Sequence, residues 1–128
     1  MLFRSAVHEE IRPSLPLVEK MAEIATAYAG GLPQTMEVSV LGEIAVYDAA
    51  VLATSALKGA IETTVDEDVT YVNAPKLAEE RGMSATVKND PNCEQFRSSI
   101  QLKVAMANGT NFVVEGTLVG IQIGRAHV

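Results

Sequence analysis

Few residues in this 128-residue chain have the type and spacing to do chemistry. His8 has the titration range of a general base, but it stands among Glu9 and Glu10 ahead of the first helical pattern, where a surface position is the simpler reading. Cys93 is the single cysteine, so an internal disulfide and a multi-cysteine metal site are both excluded. As a nucleophile it would need a base to form its thiolate, and its polar surroundings name none, so a structural or incidental role is preferred. One histidine and one cysteine also fall short of the three or four ligands zinc takes. Asp66-Glu67-Asp68 offers oxygens to a hard cation but lacks the ligand spacing and glycine of a calcium loop, and reads as a solvated acidic turn. Arg97 with Ser98 and Ser99 presents a cation and two hydroxyls that can hold an anion at a strand start; the plain alternative is an ordinary strand entrance. Asn108-Gly109-Thr110 fits an N-glycosylation pattern, yet a turn demands the same residues and no signal peptide is visible. The glycines never form GxGxxG or GxxxxGK[ST], so no nucleotide fingerprint is present. These residues alone predict no catalytic centre.

Those positions must be held by some scaffold. The length fits one domain, and at 48% hydrophobic residues the chain has enough apolar surface for a core. No apolar run approaches the roughly 18 residues a bilayer span needs, which argues against a membrane protein. The net charge is −6, and the ten basic residues are scattered rather than gathered into a nucleic-acid footprint.

The spacing predicts a helix from Pro13 to about Ala29 with Leu17, Met21, Ile24 and Tyr28 as its apolar stripe, stopped by Gly30-Gly31. Glu19, Lys20 and Glu23 lie off that stripe and read as a solvated face. A period of two over Thr35–Leu41 predicts a half-buried strand with Met36, Val38 and Val40 inward. Asp48 can cap a second helix to about Glu62, buried through Ala49, Leu52, Ala53, Ala56, Leu57, Ala60 and Ile61. Gly59 inside it marks either a tight contact or tolerated slack. Val69–Val72 reads as a short strand, Asn73-Ala74-Pro75 as the capped start of a short helix ending at Gly82, Met83–Val87 as a strand and Lys88–Gln95 as a polar loop. The last element is a hairpin. An Asn-Gly two-residue turn would pair Ala105 with Phe112 and mix the faces. A three-residue loop, Ala107-Asn108-Gly109, instead pairs Val104 with Phe112 and Leu102 with Val114, with Gly109 in a left-handed bulge position. A further strand is expected over Gly116–Ile121. The predicted fold is α+β: a mostly antiparallel sheet with helices packed on it, in a single domain.

The two ends read differently from the middle. Leu2-Phe3-Arg4-Ser5 and Ile123-Gly124-Arg125-Ala126-His127-Val128 are what the reverse-complementary ends of a common short-read sequencing adapter encode. The expectation is therefore an adapter-derived stretch at 1–5, a natural domain over 6–122 and a second adapter-derived stretch at 123–128. A sheet cut there would leave an open edge, which predicts marginal stability or self-association.

Several segments, in order, resemble one family. Glu9-Glu10-Ile11-Arg12-Pro13-Ser14-Leu15-Pro16-Leu17-Val18-Glu19-Lys20 is similar to the helix that follows the catalytic region of long-form bacterial D-3-phosphoglycerate dehydrogenases. Glu37-Val38-Ser39-Val40-Leu41-Gly42-Glu43-Ile44 and Ser55-Ala56-Leu57-Lys58-Gly59 follow. The most specific piece is Val69-Thr70-Tyr71-Val72-Asn73-Ala74-Pro75-Lys76-Leu77-Ala78-Glu79-Glu80-Arg81-Gly82, succeeded by Arg97-Ser98-Ser99 and Gly116-Thr117-Leu118. The resemblance runs over about Val7–Gly120 and implies the intervening, allosteric substrate-binding domain. In that family the domain lies between an NAD-binding catalytic region and a serine-sensing ACT domain and takes part in tetramer assembly and regulation. The parent enzyme would be a cytoplasmic oxidoreductase that converts 3-phosphoglycerate to 3-phosphohydroxypyruvate in serine biosynthesis.

The departures limit what carries over. The family's dinucleotide fingerprint and catalytic His, Glu and Arg belong to a region outside this sequence, so no catalytic, cofactor-binding or metal-binding residue is expected here. The family's basic phosphate-holding residues fall where residues 123–128 stand. Arg97, Ser98 and Lys103 are the nearest remaining candidates for a phosphorylated small-molecule effector, with Lys103 directed outward from the hairpin. The alternatives are a stand-alone ligand-sensing module, the related domain of an iron–sulfur L-serine dehydratase, and a purely structural oligomerisation piece.

Overall fold

The computed structural model describes residues 9–90, 99–117 and 120–125. Helix α1 (Ser14–Ala29) ends at Gly30, whose φ of +78° lets its N–H and that of Gly31 turn back onto the Thr26 carbonyl. Strand β1 (Thr35–Leu41) follows, then a 3₁₀ turn (Glu43–Val46), helix α2 (Val51–Glu62), helix α3 (Ala74–Glu80) and strands β2 (Ser84–Asp90), β3 (Ser99–Ala105), β4 (Asn111–Thr117) and β5 (Gly120–Arg125). The five strands form one sheet in the order β2-β1-β3-β4-β5. Only β1 and β2 run parallel, because two helices intervene between them; the other three pairings are antiparallel, as expected for an α+β domain.

The register places one apolar row above another. Val38 lies opposite Leu102 and Leu102 opposite Val114, while Met36, Val104 and Phe112 form the next row, and all six are buried. Helix α1 covers β3 and β4, α2 covers β1 and β2, and α3 packs on α2, so a single layer of helices closes one face of the sheet. The hairpin has the predicted three-residue loop: Val104 pairs with Phe112, Gly109 has a φ of +94°, and its N–H donates to the Met106 carbonyl at 3.0 Å. Among the described residues no helix is long and apolar enough to cross a membrane.

Five local expectations are corrected. Val69–Val72 is not a strand. Thr70 N–H donates to Asn73 Oδ1 at 2.8 Å, Asn73 Nδ2 donates to the Asp68 carbonyl, and Ala74 N–H donates to the Thr70 carbonyl, so the β-branched run closes on itself as a turn. For the same reason the Asn73 side chain does not cap α3. The Gly116–Ile121 run is not one strand: β4 ends at Thr117, β5 starts at Gly120, and these two residues pair across the reversal. Lys88–Asp90 belong to β2 rather than to a loop, because they continue the ladder against Ser39–Leu41. Finally, α1 buries Ser14, Val18, Met21, Ala22 and Ala25, whereas Tyr28 is largely exposed and stacks edge-on against Phe112 at 5.1 Å. The core selects the small residues because α1 must lie close to α2, and an alanine row admits that approach where a row of long side chains does not.

Candidate functional site

Among the described residues, the densest polar cluster forms where α1, α2 and the turn before α3 meet. Gly59 starts it. A Cβ there would lie 2.2 Å from the Glu19 carbonyl oxygen, so the backbones of α1 and α2 touch at this point, and the tight-contact reading of Gly59 holds over tolerated slack. That crossing lowers the Glu19 and Lys58 side chains into a shared, mostly covered space, with 20% and 16% of their surfaces exposed. Lys58 Nζ donates to Glu19 Oε1 and to Glu62 Oε2, each at 3.0 Å. Tyr71 donates its hydroxyl proton to Glu19 Oε2. Because that proton is committed, Ser55 Oγ, fully buried, must be the donor to Tyr71 Oη across 2.8 Å. The Lys58 ammonium also sits 5.8 Å from the centre of the Tyr71 ring, within cation–π range.

The electrostatics follow from this wiring. Burial alone would push Lys58 down, but the hydrogen bonds to Glu62 and Glu19 and their negative charges outweigh it and hold Lys58 above its usual range. Burial pushes the Tyr71 phenol well up, and its bond to Glu19 and the charges of Glu19 and Glu62 add to the shift, opposed by the Ser55 bond. Tyr71 therefore stays neutral and Lys58 charged across the physiological range. Each partner serves another member of the cluster, and the arrangement clamps three chain segments together rather than presenting a reactive group.

Among the described residues, no helix covers the opposite face of the sheet. There Lys103 on β3 faces Glu37 on β1 across 3.8 Å, with 53% and 38% of the two side chains exposed. These two border a depression of about 620 Å³ that is also lined by Thr35, Ser84, Thr86 and Asn111. Lys103 points outward, as the hairpin alternation predicts. Arg97 and Ser98 lie outside the described residues, as do His8 and Cys93. Ser99, buried at the start of β3, is four strand positions from Lys103, roughly 13 Å along the sheet. Asp66, Glu67 and Asp68 are exposed, as the reading of a solvated acidic turn requires.

Sequence reading missed the clamp. Glu19 reads as part of a solvated face, and Tyr71 falls in a segment whose alternation mimics a strand. The available signals were Gly59 within a helix and the resemblance itself, since Glu19, the Ser55–Gly59 run and Tyr71 each lie in one of its separate segments. The fold brings those segments to one point.

Comparison with known proteins identifies the family. The family model for the D-3-phosphoglycerate dehydrogenase intervening domain matches residues 10–126. The chain is 38% identical over 117 residues to the D-3-phosphoglycerate dehydrogenase of Mycobacterium leprae, covering 91% of this chain and 22% of that relative. It is 33% identical over 105 residues to the enzyme of that name from a Synechocystis strain, covering 81% of this chain and 18% of the relative. The chain thus spans about a fifth of the length of the curated relatives it matches. With its α+β architecture and nearly its whole length matched, this chain belongs to the D-3-phosphoglycerate dehydrogenase intervening-domain family.

Proposed function

We propose that this chain is the regulatory and assembly domain of an NAD-dependent D-3-phosphoglycerate dehydrogenase and performs no catalysis by itself. The family match over residues 10–126, at about a fifth of the relatives' length, carries the reading. The parent oxidises 3-phosphoglycerate to 3-phosphohydroxypyruvate in serine biosynthesis; its NAD-binding catalytic region and its ACT domain are this domain's partners, and the assembly is a tetramer in the cytoplasm. A phosphorylated effector meets Lys103 on β3 together with Arg97 and Ser98, which precede that strand in the sequence. The proximity of Glu37 to Lys103 supports weak rather than tight anion binding, because an incoming phosphate must compete with a carboxylate already in place. The domain boundary proposed at 6–122 sets aside the adapter-like ends; codons other than those of the adapter at Leu2–Ser5 would remove that part of the reading.

The test uses a full-length relative with this segment deleted or intact. The deletion should keep turnover of 3-phosphoglycerate with NAD while losing the response to phosphohydroxypyruvate or serine and shifting the sedimentation of the assembly. An unchanged effector response and unchanged assembly after deletion would refute the proposal. Calorimetric titration of this chain with phosphohydroxypyruvate, for the wild type and for Arg97→Ala and Lys103→Ala, tests the effector contact separately.

A further inference from the structure

The Asn108-Gly109 pair at the β3–β4 tip remains unused by the proposed function. Both residues are exposed. We propose that Asn108 is a site of spontaneous deamidation, held in check by the folded hairpin and released when the tip opens.

The chemistry needs only water. The backbone nitrogen of Gly109 attacks Cγ of Asn108, a carbon–nitrogen bond closes a five-membered succinimide, and the side-chain amide leaves as ammonia, taking up the proton that the Gly109 nitrogen gives to solvent. Water then opens the ring at either carbonyl and leaves aspartate or isoaspartate. The residue after the asparagine controls the approach. Asn73, Asn89, Asn92 and Asn111 precede Ala74, Asp90, Cys93 and Phe112, whose side chains crowd the attacking nitrogen; Gly109 has none.

The folded tip opposes the attack in two ways. The Gly109 N–H donates to the Met106 carbonyl at 3.0 Å, which holds the nucleophile in the turn. The Asn108 Oδ1 accepts from the Thr110 N–H at 2.9 Å, which pins the electrophilic amide past Gly109. Both bonds must break before the ring can close. An isoaspartate product adds a methylene to the main chain inside a loop whose three-residue length sets the pairing of Ala105 with Asn111, so the modified tip no longer closes its bulge.

Incubating the full 128-residue chain in heavy-oxygen water at mildly alkaline pH, with and without concentrated urea, followed by peptide mass mapping, tests this. Label should enter the peptide carrying Asn108 ahead of the peptides carrying the other asparagines, about tenfold or more faster in urea than in buffer. Equal rates in the two states would overturn the gating, and earlier conversion of another asparagine in urea would overturn the site. Two variants sharpen the reading. Ala107→Gly, which loosens an exposed loop position, should raise the native rate toward the urea rate. Gly109→Ala should slow conversion in urea, where no turn geometry is at stake; no slowing there would contradict attack by this nitrogen.

Discussion

Two lysine–glutamate pairs in this domain show how far tertiary surroundings alter the same chemistry. Lys58 meets Glu19 at 3.0 Å in a covered seam, with Glu62, Tyr71 and Ser55 joined to the same group. Lys103 meets Glu37 at 3.8 Å on the sheet face away from the described helices, where both side chains are exposed. In the seam, water is largely excluded and each polar atom depends on its neighbours, so removing one partner leaves another with an unmet hydrogen bond. On the sheet face water replaces any lost partner at little cost. The first pair is therefore committed to holding helices and turn together, whereas the second is a long, water-exposed contact that holds little in place.

Substitutions can widen or collapse that contrast. The largest effect belongs to Gly59→Ala. Its methyl meets the Glu19 main chain, α1 and α2 must part, and the loss should be about 3 kcal/mol despite alanine's better helix propensity. Urea unfolding measures it, and a neutral result would show that the helices can separate without cost. Next is Tyr71→Phe, which leaves the buried Ser55 hydroxyl without its acceptor and takes the Tyr71 donor from Glu19 Oε2, while Lys58 still holds Oε1, at about 1–2 kcal/mol. Asn89→Ala comes third. It removes Nδ2 bonds to the Ala45 and Tyr47 carbonyls that tie the 3₁₀ turn to β2, and about 1 kcal/mol is expected. Lys103→Ala should change stability by no more than about 0.5 kcal/mol.

The same contrast has a pH signature. Folding raises the affinity of both Lys58 and Tyr71 for their protons. Their contributions are fully present below the unfolded-state values of 10.5 and 10.0 and decline as pH climbs beyond them. Unfolding free energy measured from neutral pH into this alkaline range should fall, and Tyr71→Phe should flatten the fall. An identical slope in the variant would remove Tyr71 from the linkage.

Most of the sheet was legible because alternation along Thr35–Leu41 and around Asn108-Gly109 leaves only one register that buries a single face. Gly30 and Gly109 marked their turns for a related reason, since both adopt positive φ. The reversal between β4 and β5 gave no such signal: Leu118 and Val119 are apolar, and neither is a turn former. The Val69–Val72 run misled in the opposite direction, since its β-branched composition suited a strand for which no neighbouring strand was available. In the seam, Glu19 looked solvated because helical periodicity counts apolar stripes and is blind to a second helix crossing within touching distance.

By itself, the sequence determined the class of fold, the inward faces of β1, β3 and β4, the length of the hairpin loop and, through ordered segments of resemblance, the family. These depend on local geometry and on the parity of side chains, which neighbouring residues dictate. Only the tertiary structure decided that Gly59 is a contact point, that Tyr71 reaches back to Glu19, and that one lysine is locked while the other is open. Those outcomes depend on residues up to 52 positions apart in the chain being brought within hydrogen-bonding distance and removed from water together, a condition that no local pattern encodes.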